Sequence, residues 1–383
     1  MNHKEIINSI VWPRRLYLLD ISRGIASLSV VLWHWNHFAF EKHNLSKDFT
    51  IQDQPLYYLF KIFYEKGYTG VDYFYLLSGF IFFWLYKDSI KMKVTTASVF
   101  IIHRFSRLYP LHLVTLLIVA LLQYIYTSRQ GYSFIYPFND LYHFFLQLGF
   151  ASYWGLQKGW SFNGPIWSVS IEVILYFIFF LSAVYRLGDS LFCLVVSVLS
   201  VTLLYLTDQA IFEGVSLFFL GGFIYNSLIK ITNKDSSLIV LIYTFTAISW
   251  LVVFINFYIF DISNLLLEFG IIGLIFLKLF PIYILFPLTV CSLILFEIDK
   301  GSIMKRLSWI GDITYSSYLL HFPLQLLFAL AVSYSILDAK FYLQIKYLIL
   351  FYVILIPLSY IVHQKFELPI QKVIRKLYLA KEK

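Results

Sequence analysis

Arg23 and His34 stand eleven residues apart. On an α-helix, eleven steps of about 100° make three turns plus about 20°, so both side chains project from one face, roughly 16 Å apart along the axis. A guanidinium at one end of such a face and an imidazole at the other suit an elongated anionic ligand, held by its charge and presented to a base. His37, one turn beyond His34, is expected nearer the outer surface. Arg104 and Arg107 are three apart and share a helical face. Two guanidinium forks match phosphate oxygens bidentately. A pair of arginines at a helix entrance also satisfies the ordinary cytoplasmic bias of basic residues. Beside Arg23 they read as a polyphosphate clamp.

Three further segments extend this set. Ser78-Gly79 lies in the middle of an apolar run, where the missing side chain lets a ligand or another backbone come close. The segment Gly164-Pro165-Ile166-Trp167-Ser168-Val169-Ser170-Ile171-Glu172 opens a helix at Pro165. It places Glu172 about 8 Å inside that helix, with Tyr176 one turn further on the same face. A carboxylate at that depth must be protonated or paired, with histidine, arginine or a substrate hydroxyl as partners. Tyr318 and His321 share a face in a later helix, and Pro323 is expected to kink it just beyond. His34, Ser78 and His321 fall at similar depth in three helices. A shared cavity follows, floored by the arginines and walled on the outside by Trp167 to Glu172, with Ser168, Ser170, Tyr176, Tyr318 and His321 lining it.

The elements that must hold these residues are long apolar helices. About ten runs have the length of a membrane span, approximately 21–40, 67–86, 107–126, 167–187, 190–207, 210–229, 238–260, 264–298, 310–335 and 344–363. The eighth is too long for one straight crossing, and Pro281 and Pro287 predict a broken or re-entrant path. The stretch 137–166 is apolar but punctuated by Gly, Asn and Pro, and reads as interfacial or re-entrant.

Composition supports this and excludes other classes. Of 383 residues, 60% are hydrophobic and 14% charged, against about 25% charged in a soluble domain. A soluble enzyme, a disulfide scaffold and a disordered chain are all excluded. The formal charge of +8 would suggest nucleic acid in a soluble protein. Here topology explains it: with the N-terminus in the cytoplasm, most of the 30 Lys and Arg fall in inner loops. That count includes Lys4, Arg14, Lys234, Lys381 and Lys383, and it puts both termini in the cytoplasm. The two cysteines, Cys193 and Cys291, sit singly in apolar helices, so neither a zinc site nor a disulfide framework is expected. No signal-peptidase site follows the first apolar run, which continues into Trp33-His34-Trp35. The expected fold is an all-α, polytopic bundle: one transmembrane domain over 1–383, with a cytoplasmic segment 1–20 and a basic cytoplasmic tail 364–383.

In this order, the residues resemble the acyltransferase-3 family, the integral-membrane O-acyltransferases that modify bacterial surface polysaccharides such as O-antigen. The matching elements are Leu19-Asp20-Ile21-Ser22-Arg23-Gly24-Ile25-Ala26 running to His34, then Ser78-Gly79-Phe80, then Arg104-x-x-Arg107 ending at Pro110. Trp167 to Glu172, Tyr315 to Pro323 and Phe366-Glu367-Leu368-Pro369 complete them. Each is weak alone; six in order over nearly the whole chain are specific. Val169 and Ile171 replace commoner apolar choices, and His103 stands where another basic residue is frequent.

The resemblance implies an acyl-CoA co-substrate, most often acetyl-CoA, with no permanently bound cofactor or metal. It implies His34 as the catalytic residue, and Arg23, Arg104, Arg107, Ser78 and Gly79 around the donor. The acceptor would be a saccharide or lipid-linked saccharide, in contact with membrane lipids of the bacterial cytoplasmic (inner) membrane. Some members carry an appended extracytoplasmic hydrolase-like domain. Ending at Lys383, this chain is expected to be the stand-alone form, transferring the acyl group directly or handing it to a separate periplasmic or extracellular transferase. His34 is expected to act as general base, with Glu172 orienting it or holding the acceptor; an acyl-histidine relay is the second chemistry. A proton-coupled transporter or flippase would use similar buried charges. It would usually show an inverted repeat, and none is found. A ligand-binding sensor would need no histidine aligned with a phosphate clamp.

Overall fold

A computed structural model describes residues 12, 13, 15–231 and 236–379. Of the basic residues placed inside by loop counting, Lys4, Arg14, Lys234, Lys381 and Lys383 lie outside these, as does most of the segment 1–20. The described chain is almost entirely helical: α1 (Tyr17–His34), α2 (Tyr57–Lys66), α3 (Gly70–Lys91), α4 (Ala97–Gln130), α5 (Leu141–Leu148), α6 (Ile166–Val184) and α7 (Ser190–Thr207). They are followed by α8 (Ala210–Leu228), α9 (Ser236–Tyr258), α10 (Ile262–Leu267), α11 (Ile271–Lys300), α12 (Thr314–Ser333), α13 (Ile345–Val362) and α14 (Leu368–Leu379). The described strands form one two-residue hairpin, Phe40–Glu41 paired with Asn44–Leu45.

Among the described residues eight helices, counting α13 to α14 as one, are long and apolar enough to cross a membrane. The chain is thus a polytopic all-α membrane protein. The remaining two expected spans do form helices, α1 of 18 residues and α3 of 22. At 1.5 Å per residue these reach about 27 and 33 Å, enough for a bilayer core. They are less apolar because Asp20, Arg23 and His34 interrupt the first, and Asp72, Lys87, Asp88 and Lys91 the second.

Three expectations about these elements change. α4 begins at Ala97, where Thr96 accepts the Val99 amide, so Arg104 and Arg107 lie about two and three turns inside a helix rather than at its entrance. Residues 271–300 form one helix: Pro281 and Pro287 are accommodated by a π-helical turn over Phe280–Leu285, and the break falls earlier, at Gly270. The tail is helical as well, through Leu379. A second π-turn, His363–Glu367, joins α13 to α14. Its Glu367 accepts from Ser316 Oγ (2.7 Å) and His363 Nδ1 (2.9 Å), which anchors the turn.

Contacts divide the chain into two compact units. The first comprises residues 1–26, 69–94 and 178–311, and the second 27–68, 95–177 and 312–383. α1 and α6 each run from one into the other.

In the first unit α3 crosses α8 with no room for side chains between them. A Cβ on Gly79 would meet the Phe218 carbonyl at 1.8 Å, and one on Gly221 the Leu76 carbonyl at 2.2 Å. Phe80, Phe82, Phe83, Phe179, Phe218 and Phe219 fill the space around this crossing. α9 and α11 are tied by Thr246 and Ser292 at 2.7 Å. Leu241, Phe245, Leu251 and Phe254 of α9 stay exposed, an apolar face suited to lipid.

In the second unit Trp35, Tyr64, Phe341 and Phe351 form one fully buried core, and Leu116, Val119, Phe322 and Leu326 another. Residues 131–165 are irregular apart from α5, which is too short to span. Asp140 caps α5, accepting from the His143 amide and Nδ1; these two bonds hold its carboxyl below the usual range.

Candidate active site

Two helices distant in sequence, α1 and α12, are joined in the second unit by a run of polar contacts at helical spacing. Ser27 Oγ reaches the Thr314 carbonyl (3.2 Å) and Ser317 Oγ (3.0 Å). Two turns on, His34 Nδ1 lies 2.9 Å from His321 Nε2, the rings stacked at 4.8 Å and 16°. One turn beyond, Gln325 Nε2 donates to the His34 carbonyl at 2.7 Å, and its Oε1 lies 3.2 Å from His37 Nδ1. The positions 27 and 34 on one helix and 314, 317, 321 and 325 on the other are the i, i+3/i+4/i+7 stripes that let facing side chains meet. His34 is the last residue of α1, directly before a 3₁₀ turn over Trp35–Ala39, and its carbonyl also accepts from Gln325. His37 is buried beside His34, with ring centroids 4.6 Å apart.

His34 Nδ1 and His321 Nε2 share one proton across their bond. His321 Nδ1 is buried and meets no hydrogen-bond partner among the described residues. In the tautomer in which His34 donates through Nδ1–H, His321 accepts at Nε2. That leaves the lone pair on His34 Nε2, which meets no hydrogen-bonding partner among the described residues and is not sealed from solvent. A base with one nitrogen held and the other open is what proton abstraction requires.

Pro323 explains a neighbouring contact. It cannot donate to the Leu319 carbonyl one turn back, and Asn163 Nδ2 supplies the missing bond at 3.2 Å. Asn163 thereby fixes the start of α6 against α12, and Tyr318 Oη reinforces it by bonding Ser168 Oγ (2.8 Å) and the Pro165 carbonyl (3.0 Å).

From this junction a polar stripe runs down α6 at positions 168, 172 and 176. Tyr176 hydrogen-bonds Glu172 and has Arg104 and Arg107 as charged neighbours; Arg104 sits 5.9 Å from the Tyr176 ring centroid. Tyr318 and Tyr315 also lie within electrostatic reach of Glu172. Arginines, Tyr176, Glu172, Tyr318 with Ser168, His321 and His34 thus follow one another within a single unit. In the other direction, rings lead from His37 to Tyr136 (5.9 Å), then to Trp160 (6.3 Å), Trp167 and Tyr153.

Several expectations are corrected by this geometry. Glu172 does not orient His34, whose ring is held by His321; it belongs to the tyrosine–arginine end. Ser170 does not line a cavity: it is fully buried, taking the Tyr153 amide on its Oγ and the Trp154 indole on its carbonyl. Gly79 faces the α8 backbone, so its missing side chain serves helix packing and leaves no opening for a donor. Arg23, Ser78 and Gly79 belong to the first unit. There Arg23 Nη2 bonds the Gly311 carbonyl at 3.0 Å and lies 3.3 Å from Asp20. This approach is possible because a Cβ on Gly24 or Gly311 would clash with the opposing backbone. A cavity in that unit is lined by Lys87, Lys91, Arg186 and Asp189, and by none of the residues singled out from the sequence. Gln325, Asn163 and Ser27 had no motif to mark them; only the i, i+4 spacing of His321 and Gln325 on one helix hinted at the first. Among the described residues no group of three or more His, Cys, Asp or Glu is placed to hold a metal ion.

Comparison with known proteins agrees. Residues 16–364 match the family described as an acyltransferase domain. "Protein 2 in picA locus" of Rhizobium radiobacter is 31% identical over 108 residues, 28% of this chain and 46% of that protein, so the chain spans under half the length of this relative. No solved structure matches. A match over nearly the whole chain places this polytopic membrane protein in the acyltransferase-3 family.

Proposed function

We propose that the protein transfers an acyl group, most simply acetyl from acetyl-CoA, to a hydroxyl of a surface glycan or lipid-linked saccharide at the bacterial cytoplasmic membrane. About ten spans with both termini in the cytoplasm complete this reading. The observation that carries it is the polar stripe joining the arginines of α4 to the free nitrogen of His34. The phosphates of the donor bind at Arg104 and Arg107, and the pantetheine arm follows Tyr176, Glu172 and Tyr318 toward the histidines. Along α6 the eight steps from Ser168 to Tyr176 span about 12 Å, a length suited to an extended arm.

His34 Nε2 then removes the proton of the acceptor hydroxyl as its oxygen attacks the thioester carbonyl. When the tetrahedral intermediate collapses, the C–S bond breaks and the thiolate takes the proton from Nε2. His321 keeps the imidazole oriented throughout, accepting from Nδ1–H. The base contributes about 10²–10⁴-fold. The acceptor enters from the side of Tyr136, Trp160 and Trp167, whose faces suit stacking against a sugar ring; Trp160 is 41% exposed.

His34→Ala in the full-length protein, expressed in a strain lacking the gene, tests the assignment. Mass spectrometry of surface glycans should show one acyl ester lost at unchanged protein level in the membrane. Normal acylation in that variant would refute the role of His34.

A further inference from the structure

The cavity of the first unit lies outside the acyl-transfer reading. It opens where α3 ends at Lys91, α6 ends at Val184 and α7 begins at Ser190. Lys87, Lys91, Ala183, Arg186, Leu187 and Asp189 line it. Its volume is about 80 Å³, room for roughly two or three waters at about 30 Å³ each, or for one phosphate group.

The fold places each cation. Lys87 and Lys91 are four apart and project from one face of α3. Lys87 Nζ donates to Asn226 Oδ1 at 2.6 Å, and Asn226 Nδ2 donates to the Gly188 carbonyl at 3.0 Å. Asn226 is buried, so this bridge fixes α3 and α8 against the loop between α6 and α7. Arg186 stands in that loop in the left-handed conformation, with φ 59°. The amides of Arg186 and Leu187 close the end of α6 on the Ala183 and Ser182 carbonyls, at 3.1 and 2.8 Å.

The charges do not balance locally. Three cations line the cavity with one acid, Asp189, whose Oδ1 already accepts the Phe192 amide (2.8 Å) as the cap of α7. Asp88, next to Lys87 in the chain, lies within electrostatic reach of Tyr225. Among the described residues neither carboxylate forms an ion pair with Lys87, Lys91 or Arg186, and the side chains of Lys91 and Arg186 make no hydrogen bond. Like charges gathered in one cavity repel. A bound phosphate offsets them, and the guanidinium fork of Arg186 matches its oxygens. Leu85, Tyr185, Leu187 and Leu191 flank these positions in the chain and are exposed. Cations at a helix end beside exposed apolar side chains suit a phospholipid, with its phosphate on the cations and its acyl chains along the helices.

We propose that this cavity is a phosphate site at the membrane boundary, filled by the headgroup of an acidic phospholipid. It does not rest on the donor reading. A soluble phosphate compound carries the same oxygens, so both sources enter the test.

The full-length protein in detergent is titrated with dioleoyl-phosphatidylglycerol, dioleoyl-phosphatidylcholine or inorganic phosphate, and affinity is read from the rise in thermal midpoint. Phosphatidylglycerol should bind more tightly than phosphatidylcholine, whose choline cancels the phosphate charge. Lys91→Gln and Arg186→Gln, both at exposed positions, should each weaken phosphatidylglycerol binding about tenfold, the scale of one lost charge-assisted bond. Lys305→Gln, at an exposed position outside the cavity, should stay within about twofold of wild type. If inorganic phosphate loses affinity in the two cavity variants while phosphatidylglycerol does not, the phosphate site stands and its ligand is a soluble phosphate compound. An equal loss in Lys305→Gln would reduce the cations to a diffuse field and overturn the proposal. Phosphatidylcholine binding as tightly as phosphatidylglycerol, or cavity variants that alter neither phosphatidylglycerol nor phosphate binding, would overturn it too.

Discussion

Removing His321 should separate orientation from proton transfer. The His34–His321 bond, 2.9 Å long and buried, is the contact that fixes the His34 ring through Nδ1. Losing one buried hydrogen bond costs about 1–3 kcal/mol, and 1.36 kcal/mol corresponds to a factor of ten in rate. His321→Phe keeps a planar ring in the same space and should lower acyl transfer roughly 10- to 100-fold. That is less than the loss expected for His34→Ala, which removes the base itself. His321→Gln offers an amide oxygen to His34 Nδ1–H and should recover a good part of the activity, which a purely packing role would not allow. In the double variant His34→Ala with His321→Phe, the rate should equal that of His34→Ala, because an orienter has nothing left to orient. The assay is transfer of labelled acetyl to membrane-bound acceptor, normalised to folded protein. If the two losses multiply, or if His321→Gln is no better than His321→Phe, the histidines act independently and the tautomer argument fails.

Two other outcomes test the scaffold. Gly79→Ala should abolish accumulation of folded protein, since the new methyl group would lie 1.8 Å from the Phe218 carbonyl and the helices would have to part along their length; a normal level in the membrane would show that the crossing is loose. Asn163→Leu strands the Leu319 carbonyl and should cost about 1–3 kcal/mol as a lower thermal midpoint in detergent. Adding Pro323→Ala, which restores a backbone donor to that carbonyl, should recover most of the loss, and no recovery would mean that Asn163 acts otherwise.

Much of this protein follows from local pattern. Apolar length and scarce charge require membrane helices whatever their packing, because an exposed backbone or charge in lipid has no alternative partner. The spacing of Arg23 and His34 needed only that residues 17–34 be one helix, and they are. Serine 168, Glu172 and Tyr176 likewise share a stripe by periodicity alone, and six short elements in order were enough to indicate the family.

What periodicity could not supply is which stripe meets which. The depth estimate put His34 and His321 at one level, but their contact joins residues 287 apart and depends on how α1 slides against α12. A shift of one turn would present Gln325 or Ser317 to His34 instead. The same register made Gln325 the partner of His37. It gave Glu172 to Tyr176 rather than to His34, and spent Gly79 on the α8 backbone. Sequence by itself determined the kinds of chemistry the chain carries and the helices that carry it. Tertiary packing decided which polar groups became partners, since a buried side chain's hydrogen bonds are set by the neighbour across the helix interface and not by its own place in the chain.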